Sequence, residues 1–414
     1  MAYALDSLGF DLMNLALFPL FDGVFPYVRD VEVLTSAAVL FVLVAIVVYR
    51  PSRFDERLWA VGALAGWFVG FGCTMAALHV GSAGLLLAGA VLNGASQAVL
   101  DMYVFVACCA GLRGKALFVG LPLAFIGGSS VAVTGALPTQ VLLALYFAMP
   151  LVPFALAYRT ARPLMAAVRS QLPMDEGMLL NPASYLPLAS RFFVYLVLFH
   201  AVVGFGLRFG PQEGATVSAP IAAAAYGAIA LCGLKMPRRH YFDTLFHCSV
   251  AFIVGCFLLM PVAPYEHAAV ALLGLGGATS SALLKIALVV VGQRNPSLCL
   301  VLGAWSTSLG SLATILGANI GAFVYGAGAH DSAFLVSAAV AMAVLLCALF
   351  PVKPFSFDAV VDGIEPPPVP VAACGVAEEG IAHACSRLAS ARGLTPREAQ
   401  IFELLARGRN NSYI

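Results

Sequence analysis

Two ionisable residues stand deep inside long apolar stretches of this sequence. Asp101 follows Asn93 and Gln97 at spacings of eight and four residues, so a helix carries the three polar side chains on one face. Lys285 lies in a second apolar stretch, after a short run of Ser and Thr. A charge in apolar surroundings is costly, and such residues usually serve a function. The pattern predicts that these four residues line a cavity that binds a small molecule.

Two interpretations of the charges stay open. Asp101 and Lys285 could pair across the cavity, or Lys285 could extend its ammonium to the membrane surface, since its apolar stretch ends six residues later. His200 is expected to be a hydrogen-bonded interior residue. Trp305 and the serines near it fit either a cavity lining or helix packing; the serines are Ser306 and Ser308.

Residue patterns typical of enzymes and metal sites are missing from the sequence. No His, Cys and Asp cluster has metal-ligand spacing, no glycine loop has the form that binds nucleotides, and no nucleophile stands at a readable spacing from a base. The 10 Cys include no Cys-x-x-Cys pair. We therefore expect no enzymatic activity, no metal and no cofactor.

The composition is that of a membrane protein. Hydrophobic residues make up 61% and charged residues 10% of 414 residues, against about 45–50% and about 25% in soluble chains. Apolar runs long enough to cross a bilayer as helices lie near 32–49, 57–78, 82–111, 116–135, 138–158, 192–209, 217–235, 244–263, 266–291, 298–320 and 331–350, with a twelfth candidate at 8–28. The sequence predicts twelve spans, with membrane lipid around them.

The basic residues between these runs predict the orientation. With both termini in the cytoplasm, the outside loops contain only Arg29 and Arg208. The inside loops then hold fourteen Lys and Arg residues: Arg50, Arg53, Arg57, Arg113, Lys115, Arg159, Arg162, Arg169, Arg191, Lys235, Arg238, Arg239, Arg294 and Lys353. Basic residues favour the cytoplasmic side. We expect a bacterial inner-membrane protein with both termini inside.

The spans form an internal repeat. A loop at 159–191 separates six spans at 8–158 from six at 192–350, an offset of about 184 residues. Gly94-Ala95-Ser96 in the fourth span and Gly277-Ala278-Thr279 in the tenth agree, with an offset of 183. Residues 8–350 therefore resemble the major facilitator superfamily in topology. The resemblance implies an all-α membrane protein with twelve transmembrane helices in two six-helix halves around a midplane cavity.

One loop departs from that superfamily. Its transporters usually carry a Gly-x-x-x-Asp-Arg-x-Gly signature between the second and third spans, whereas residues 49–57 here read YRPSRFDER, without glycine. This departure favours a body at 1–350 that senses a ligand over one that transports it. A major facilitator-type secondary transporter with a regulatory tail remains the first alternative, and a structural membrane protein without a ligand remains the second.

The tail has a soluble character. Residues 351–376 include the run Pro366-Pro367-Pro368 and predict an extended linker, and residues 377–391 have amphipathic helical spacing up to Gly393. Thr395 then predicts an N-cap, and Glu398 predicts the other half of a capping box. Ile401, Leu404 and Leu405 form an apolar stripe that ends at the C-cap candidate Gly408.

The tail string resembles the first helix of the LuxR-type helix-turn-helix domain. The matching residues are Leu394, Thr395, Arg397, Glu398, Leu404, Ala406, Gly408 and Asn411. The resemblance implies that residues 377–414 begin a DNA-binding domain, with DNA and RNA polymerase as partners. The groove-reading helix would follow Ile414, so residues 1–414 alone are expected not to bind DNA specifically. The sequence as a whole predicts a one-component transcription regulator whose body senses a small molecule.

Overall fold

The computed structural model describes most of the membrane body and part of the tail. The described residues are 1–5, 8, 18–21, 23–129, 138–171, 174, 184–188, 190–209, 215–235, 240–262, 265–326, 333–349, 356–364, 385, 389–390 and 392–406. All regular secondary structure within these ranges is helical. The predicted linker at 351–376, the stretch 377–391 and the residues Gly408 and Asn411 lie mostly or wholly outside them.

Eleven long helices follow one another in the described part of the body. They are α1 (Val28–Tyr49), α2 (Glu56–Val80), α3 (Ala83–Gly111), α4 (Lys115–Ser129), α5 (Thr139–Ala167), α6 (Arg191–Phe209), α7 (Ala215–Lys235), α8 (Tyr241–Leu259), α9 (Glu266–Arg294), α10 (Cys299–Gly326) and α11 (Ala333–Leu349). Eight are long and apolar enough to cross a membrane, and α4, α7 and α11 contain shorter apolar stretches. The protein is an all-α membrane protein.

These helices coincide with eleven of the twelve predicted spans. The predicted first span, 8–28, lies mostly outside the described residues, which include a helical turn at Phe18–Phe21. We call α1–α5 with the residues before them the first half, and α6–α11 the second half. We call the end of the body with the α1–α2, α3–α4 and α9–α10 loops the basic end, because Arg50, Arg113 and Arg294 lie there.

Local capping explains where the helices break. Asp55 accepts hydrogen bonds from the backbone N–H groups of Arg57 (2.9 Å) and Leu58 (3.1 Å), which satisfies the open amides at the start of α2. Gly81 has a φ of 70° and ends α2 in the left-handed conformation that glycine adopts without strain. Ser82 caps α3 directly afterwards. The two spans are therefore joined by a tight turn.

Glycines bring α6 and α10 into backbone contact. A Cβ placed on Gly204, Gly317 or Gly321 would lie 2.3, 1.9 or 2.5 Å from a backbone oxygen of the facing helix. No side chain fits at such distances. Small residues at helix contacts are typical of membrane proteins, where close packing replaces the hydrophobic effect.

Helix pairs repeat from one half to the other. The pairs α2–α3 and α1–α3 in the first half correspond to α8–α9 and α7–α9 in the second. Between the halves, α1 packs on α10 and α4 packs on α7, and a two-fold exchange of the halves relates those two contacts. The packing therefore has the symmetry that a repeat of spans predicts.

The 183-residue offset reappears in individual contacts. The hydroxyl of Ser96 on α3 lies 2.5 Å from the position of a Cβ on Gly66 of α2. In the second half, Ser249 of α8 donates a hydrogen bond to Thr279 of α9 (3.0 Å). Ser249 and Thr279 stand 183 positions after Gly66 and Ser96. The same two helix positions are therefore in contact in both halves.

A second related contact exchanges its small partner. Gly70 of α2 faces Asn93 of α3, whose Oδ1 lies 2.2 Å from the position of a Cβ on that glycine. At the positions 183 residues later, Ile253 of α8 faces Gly276 of α9, with the corresponding distance at 2.7 Å. Each pair contains one glycine, but on opposite helices. The contact is kept while the residues change.

Aromatic residues join the halves near the middle of the helices. Phe41 of α1 and Trp305 of α10 meet edge to face with ring centroids 5.4 Å apart. Phe125 of α4 and Tyr226 of α7 stack at 4.8 Å. Each pair belongs to one of the two symmetry-related contacts between the halves.

The halves also meet at the basic end. The thiols of Cys109 on α3 and Cys299 on α10 lie within hydrogen-bonding reach of one another. Both sulfur atoms lie about 3 Å, at 2.9 and 3.1 Å, from the position of a Cβ on Gly292. The side-chain amide of Gln293 donates to the carbonyl oxygen of Leu112. The three helices α3, α9 and α10 close the basic end.

A short helix after the body, α12 (Phe357–Asp362), is fixed at its start by Asp243 of α8. One Asp243 oxygen accepts from the Phe357 N–H (2.7 Å), and the other accepts from the Ser356 hydroxyl (2.6 Å). The backbone N–H of Asp243 donates in turn to Asp358 (3.0 Å). The fully buried Phe357 ring packs against aromatic rings of α6 and α8.

Arg294 of α9 fixes the other end of α12. Its guanidinium donates to the carbonyl oxygens of Val361 (2.6 Å) and Ile364 (3.3 Å) and pairs with Asp362 at 2.5 Å. An anionic group therefore holds the start of α12 and a cationic group its end, as the helix dipole favours. We call this arrangement of Asp243, α12 and Arg294 the clasp.

The capping box predicted in the tail is confirmed. The last described helix, α13 (Pro396–Ala406), starts after Thr395, whose hydroxyl accepts from the Glu398 N–H (3.3 Å). The Glu398 carboxylate accepts from the Thr395 N–H (2.8 Å). Before it, Gly393 has a φ of 64°, and the Leu394 N–H donates to Ala389 (2.9 Å), which ends the preceding helical turn.

Candidate functional site between the halves

Lys285 lies where the two halves meet. Its ammonium is 5.3 Å from the ring centroid of Phe105 on α3 and 5.4 Å from that of Tyr3 at the N-terminus. Aromatic faces attract cations at such distances. The lysine belongs to the second half and both rings belong to the first. A positive charge is thus held at the contact between the halves.

The distance of Lys285 from the end of α9 is relevant to whether its ammonium extends to the membrane surface. Helix α9 continues for nine residues to Arg294, which is about 14 Å along the axis. The ammonium lies against the rings of Phe105 and Tyr3 at this depth. In the described part of the chain, Lys285 forms no ion pair. It therefore provides a charge that a solute between the halves could neutralise.

Asp101 lies one turn from Phe105 on α3, and the two therefore share a helix face. That face contacts Lys285 through the Phe105 ring. Asp101 is half-buried and has an interaction partner of its own. The structure therefore brings Asp101 and Lys285 to the same level of the body, on helices of different halves.

Asn93 and Gln97 lie further along α3 from the basic end. Asn93 is 1% exposed, and its amide donates to Thr74 of α2 (3.2 Å) and Tyr146 of α5 (2.8 Å). These partners belong to the first half, so Asn93 lies inside that half. Gln97 is half-buried. A cavity role for either residue remains a prediction.

Residues near the contact between the halves are mostly held by helix packing. The Nδ1 atom of His200 lies 2.8 Å from the Leu196 carbonyl oxygen. Ser306 donates within its own helix, to Gly303 (3.0 Å). Ser308 donates across the halves, to Ala37 of α1 at 3.5 Å.

Sequence reasoning missed Glu32. This residue is 3% exposed in the second turn of α1, and neither carboxylate oxygen has a hydrogen-bond partner within the described residues. The apolar run in the sequence starts at residue 32, so the acid looked like a span boundary. The signal that could have found it is Val28: counting the helix from there places Glu32 one turn inside the apolar body.

The predicted tail residues can be placed only in part. Among the described residues, no group of three or more His, Cys, Asp or Glu could hold a metal ion. Arg397 and Glu398 are exposed on α13, and Leu404 and Ala406 belong to its backbone. Whether these residues take part in a helix-turn-helix stays a prediction.

Comparison with known proteins identifies the architecture. No family model matches the chain, and no curated protein matches its sequence. Among solved structures, a bacterial homologue of the iron transporter ferroportin, outward-facing with soaked iron, matches with a TM-score of 0.56 at 12% identity. The match covers 84% of this chain and 96% of that one. A second structure of that homologue in the outward-facing state gives a TM-score of 0.53 at 13% identity, with coverages of 87% and 96%.

The human organic anion transporter MFSD10 (TETRAN) is similar to the same degree. Its TM-score is 0.54 at 16% identity, and the match covers 84% of this chain and 96% of the human one. At such identities the likeness concerns the fold. The chain therefore has a major facilitator-like membrane body, as its topology predicts.

Proposed function

We propose that this protein is a major facilitator-type secondary transporter, or a close relative of one, that binds a small anionic solute between its halves. The observation that carries the proposal is the Lys285 ammonium, held at the contact between the halves against the rings of Phe105 and Tyr3. A cation flanked by aromatic faces suits a carboxylate attached to an apolar or aromatic group.

The packing supports movement between two arrangements. The contacts named above join the halves at mid-depth and at the basic end. At the opposite end, Arg29 of α1 and Arg208 of α6 lie close enough to repel each other. Repulsion there and closure at the basic end favour a form open on the side opposite the basic end. One of the similar structures is that of an organic anion transporter, in agreement with an anionic solute.

The test is a transport measurement on the full chain in liposomes. A panel of organic carboxylates is applied, and charge movement is recorded on a solid-supported membrane. Lys285→Met should abolish the response to those carboxylates that give one, and Lys285→Arg should retain part of it. Lys115→Met, which removes an exposed lysine at the basic end, is the matched control and should respond like the wild type. Equal responses from Lys285→Met and the wild type would contradict the proposal.

A second function is supported by the tail. The capping box at Thr395 and Glu398 starts the helix whose residues resemble a LuxR-type domain, which supports a regulator whose body senses the solute. The test uses the natural gene product, with whatever chain follows Ile414, on DNA fragments from its own upstream region. The regulator should bind selectively with a steep salt dependence, and deletion of residues 394 onward should remove the binding. Selective binding that survives the deletion would contradict it.

A further inference from the structure

Glu32 is a buried carboxyl without a described counter-charge. It lies on α1 one turn after Val28, with 3% of its surface exposed. Both carboxylate oxygens are buried, and neither accepts or donates a hydrogen bond within the described part of the chain. An ionised carboxylate needs strong hydrogen bonds or a cation when it leaves water. The residues around Glu32 determine whether the carboxylate has hydrogen bonds, a cation or neither.

Two neutral polar residues, Tyr146 and Asn93, lie near Glu32 in the first half. Tyr146 of α5 lies close enough to interact electrostatically with the Glu32 carboxyl. The Asn93 amide donates to the Tyr146 hydroxyl. The Oδ1 atom of Asn93 is also buried without a hydrogen-bond partner in the described residues. Among the described residues of the first half, three buried acceptor oxygens therefore lack donors, two on Glu32 and one on Asn93. Such a group of acceptors attracts a positively charged species.

Both carboxylate oxygens of Glu32 are enclosed, and α1 packs tightly on α3 at this residue. The backbone of Glu32 packs directly on α3, where a Cβ on Gly94 would lie 2.2 Å from the Glu32 carbonyl oxygen. Ser36 bridges the same helices by donating to the Gly94 carbonyl oxygen (2.7 Å). A hard metal cation requires six or more oxygen ligands with space between them. A proton requires one oxygen and adds no volume.

Charged neighbours are present, but they do not pair with Glu32. Arg29 stands three residues earlier on α1, and its Nε atom is buried without a hydrogen-bond partner among the residues that the structure describes. The charges that act on Arg29 are Arg208 of α6 and Asp30. The three ion pairs of the described chain do not include Glu32. Arg29 is nevertheless close enough along the helix to approach the carboxylate if the packing loosened.

The internal repeat shows that the fold does not require these polar groups. The positions 183 residues after Thr74 and Asn93 hold Phe257 and Gly276. Phe257 is fully buried, and Gly276 packs against Ile253. The second half thus fills the same positions with apolar contacts. The polar cluster around Glu32 is specific to the first half, which points to a role other than packing.

We propose that Glu32 is a proton-binding site. In the arrangement described here the residue is a neutral carboxylic acid, which needs no counter-charge. When α1 and α3 separate and water enters, the O–H bond breaks, the proton passes to water and the carboxylate pairs with Arg29. The closed packing of the first half is therefore favoured by protonation, independently of which solute the protein binds.

The test is infrared spectroscopy of the purified full chain at neutral pH. A protonated, buried carboxyl gives a C=O stretching band that does not change when the pH of the buffer is changed. The wild type should show one such band, Glu32→Gln should lack it, and Glu56→Gln should retain it. Glu56 is the matched control because it is half-buried beside Arg57 at the basic end. A band unchanged in Glu32→Gln, or absent from the wild type, would overturn the proposal.

Thermal unfolding provides a second readout. A carboxyl that is neutral in the folded state stabilises it most at low pH, and this stabilisation is lost as the pH rises. The wild-type melting temperature should therefore fall with rising pH, while that of Glu32→Gln should fall much less. Equal pH dependence in both proteins would contradict the proposal. Neither measurement involves transport, so this proposal and the proposed function can fail separately.

Discussion

Lys285 and Asp101 carry opposite charges at one level of the body, on helices of different halves. If the two compensate each other, Asp101→Asn alone leaves the lysine without a balancing charge, whereas Asp101→Asn with Lys285→Met removes both. Among the described residues Lys285 forms no ion pair, so any coupling acts through space and is smaller than the about 3–5 kcal/mol lost when a buried pair is broken. We expect the single variant to unfold at a lower temperature than the double variant. Additive effects across the double-mutant cycle would show that the charges act separately.

For single residues, the sequence predicted which charged side chains lie in the membrane body better than it predicted where polar side chains point. Asp101 and Lys285 were found because charged residues are rare in apolar runs. The spacing predicts Asn93 on the same helix face as Asp101, but eight residues rotate the side-chain direction by about 80° beyond two full turns. That rotation is enough to point Asn93 at Thr74 and Tyr146 inside the first half. Partners on other helices decided the direction, and a single helix's periodicity does not contain them.

The clasp makes a prediction at the scale of one element. Burial, with a smaller contribution from the Asp243 carboxylate, raises the pKa of Asp358 above its ordinary value. A raised pKa means that docking of α12 is strongest below the pKa of the undocked side chain and weakens as the pH rises from there through the folded pKa. Asp358→Asn removes the charge and keeps an oxygen for the Asp243 N–H. The variant should therefore hold α12 at high pH as well as at low pH.

Amide hydrogen exchange measures this docking. The Val360 and Gly363 amides donate within α12, and their protection, corrected for intrinsic rates, should fall in the wild type only, as the pH rises above the range in which an ordinary aspartate titrates. Asp362→Asn serves as the control, since Asp362 is half-exposed and pairs with Arg294 at the other end. It should keep the wild-type pH dependence. The same dependence in Asp358→Asn would show that another group titrates.

The sequence predicted the membrane spans and the capping box of α13 but not the clasp, and the difference has a physical cause. The apolar runs gave eleven of the spans because bilayer thickness fixes their length. The capping box of α13 was found because its partners are three residues apart. The clasp was not found, since Asp243 and Phe357 are 114 residues apart and meet only in the folded chain. A hydrogen bond between residues close in the sequence can be predicted from their spacing, whereas one between residues far apart in the sequence cannot.

The whole molecule should change arrangement when it works, and native cysteines offer a way to stop it. Cys109 and Cys299 face each other across the basic end, so an oxidant that joins them should hold that end closed. Transport in liposomes should then cease and return after reduction. Cys109→Ser should be insensitive to the oxidant. Continued transport by the cross-linked wild type would mean that the basic end does not open during the cycle.

Topology was the part of the whole molecule that the sequence predicted best. Two halves of six spans lead to the major facilitator-like fold, and solved structures of that fold cover 84–87% of the chain. The interior of each half was not predictable in the same way. It depends on which residues meet across helices, as the contacts of Gly70 with Asn93 and of Ile253 with Gly276 illustrate.

Those two contacts say something about descent. If both halves derive from one duplicated segment, the glycine has changed sides, from α2 in one copy to α9 in the other. What is inherited is then the combined volume of a pair of side chains, and each member is free to drift if the other compensates. A residue-by-residue alignment of the two halves does not detect a conserved combined volume. A fold transmitted in this way can remain recognisable in three dimensions after its sequence has ceased to resemble that of any relative.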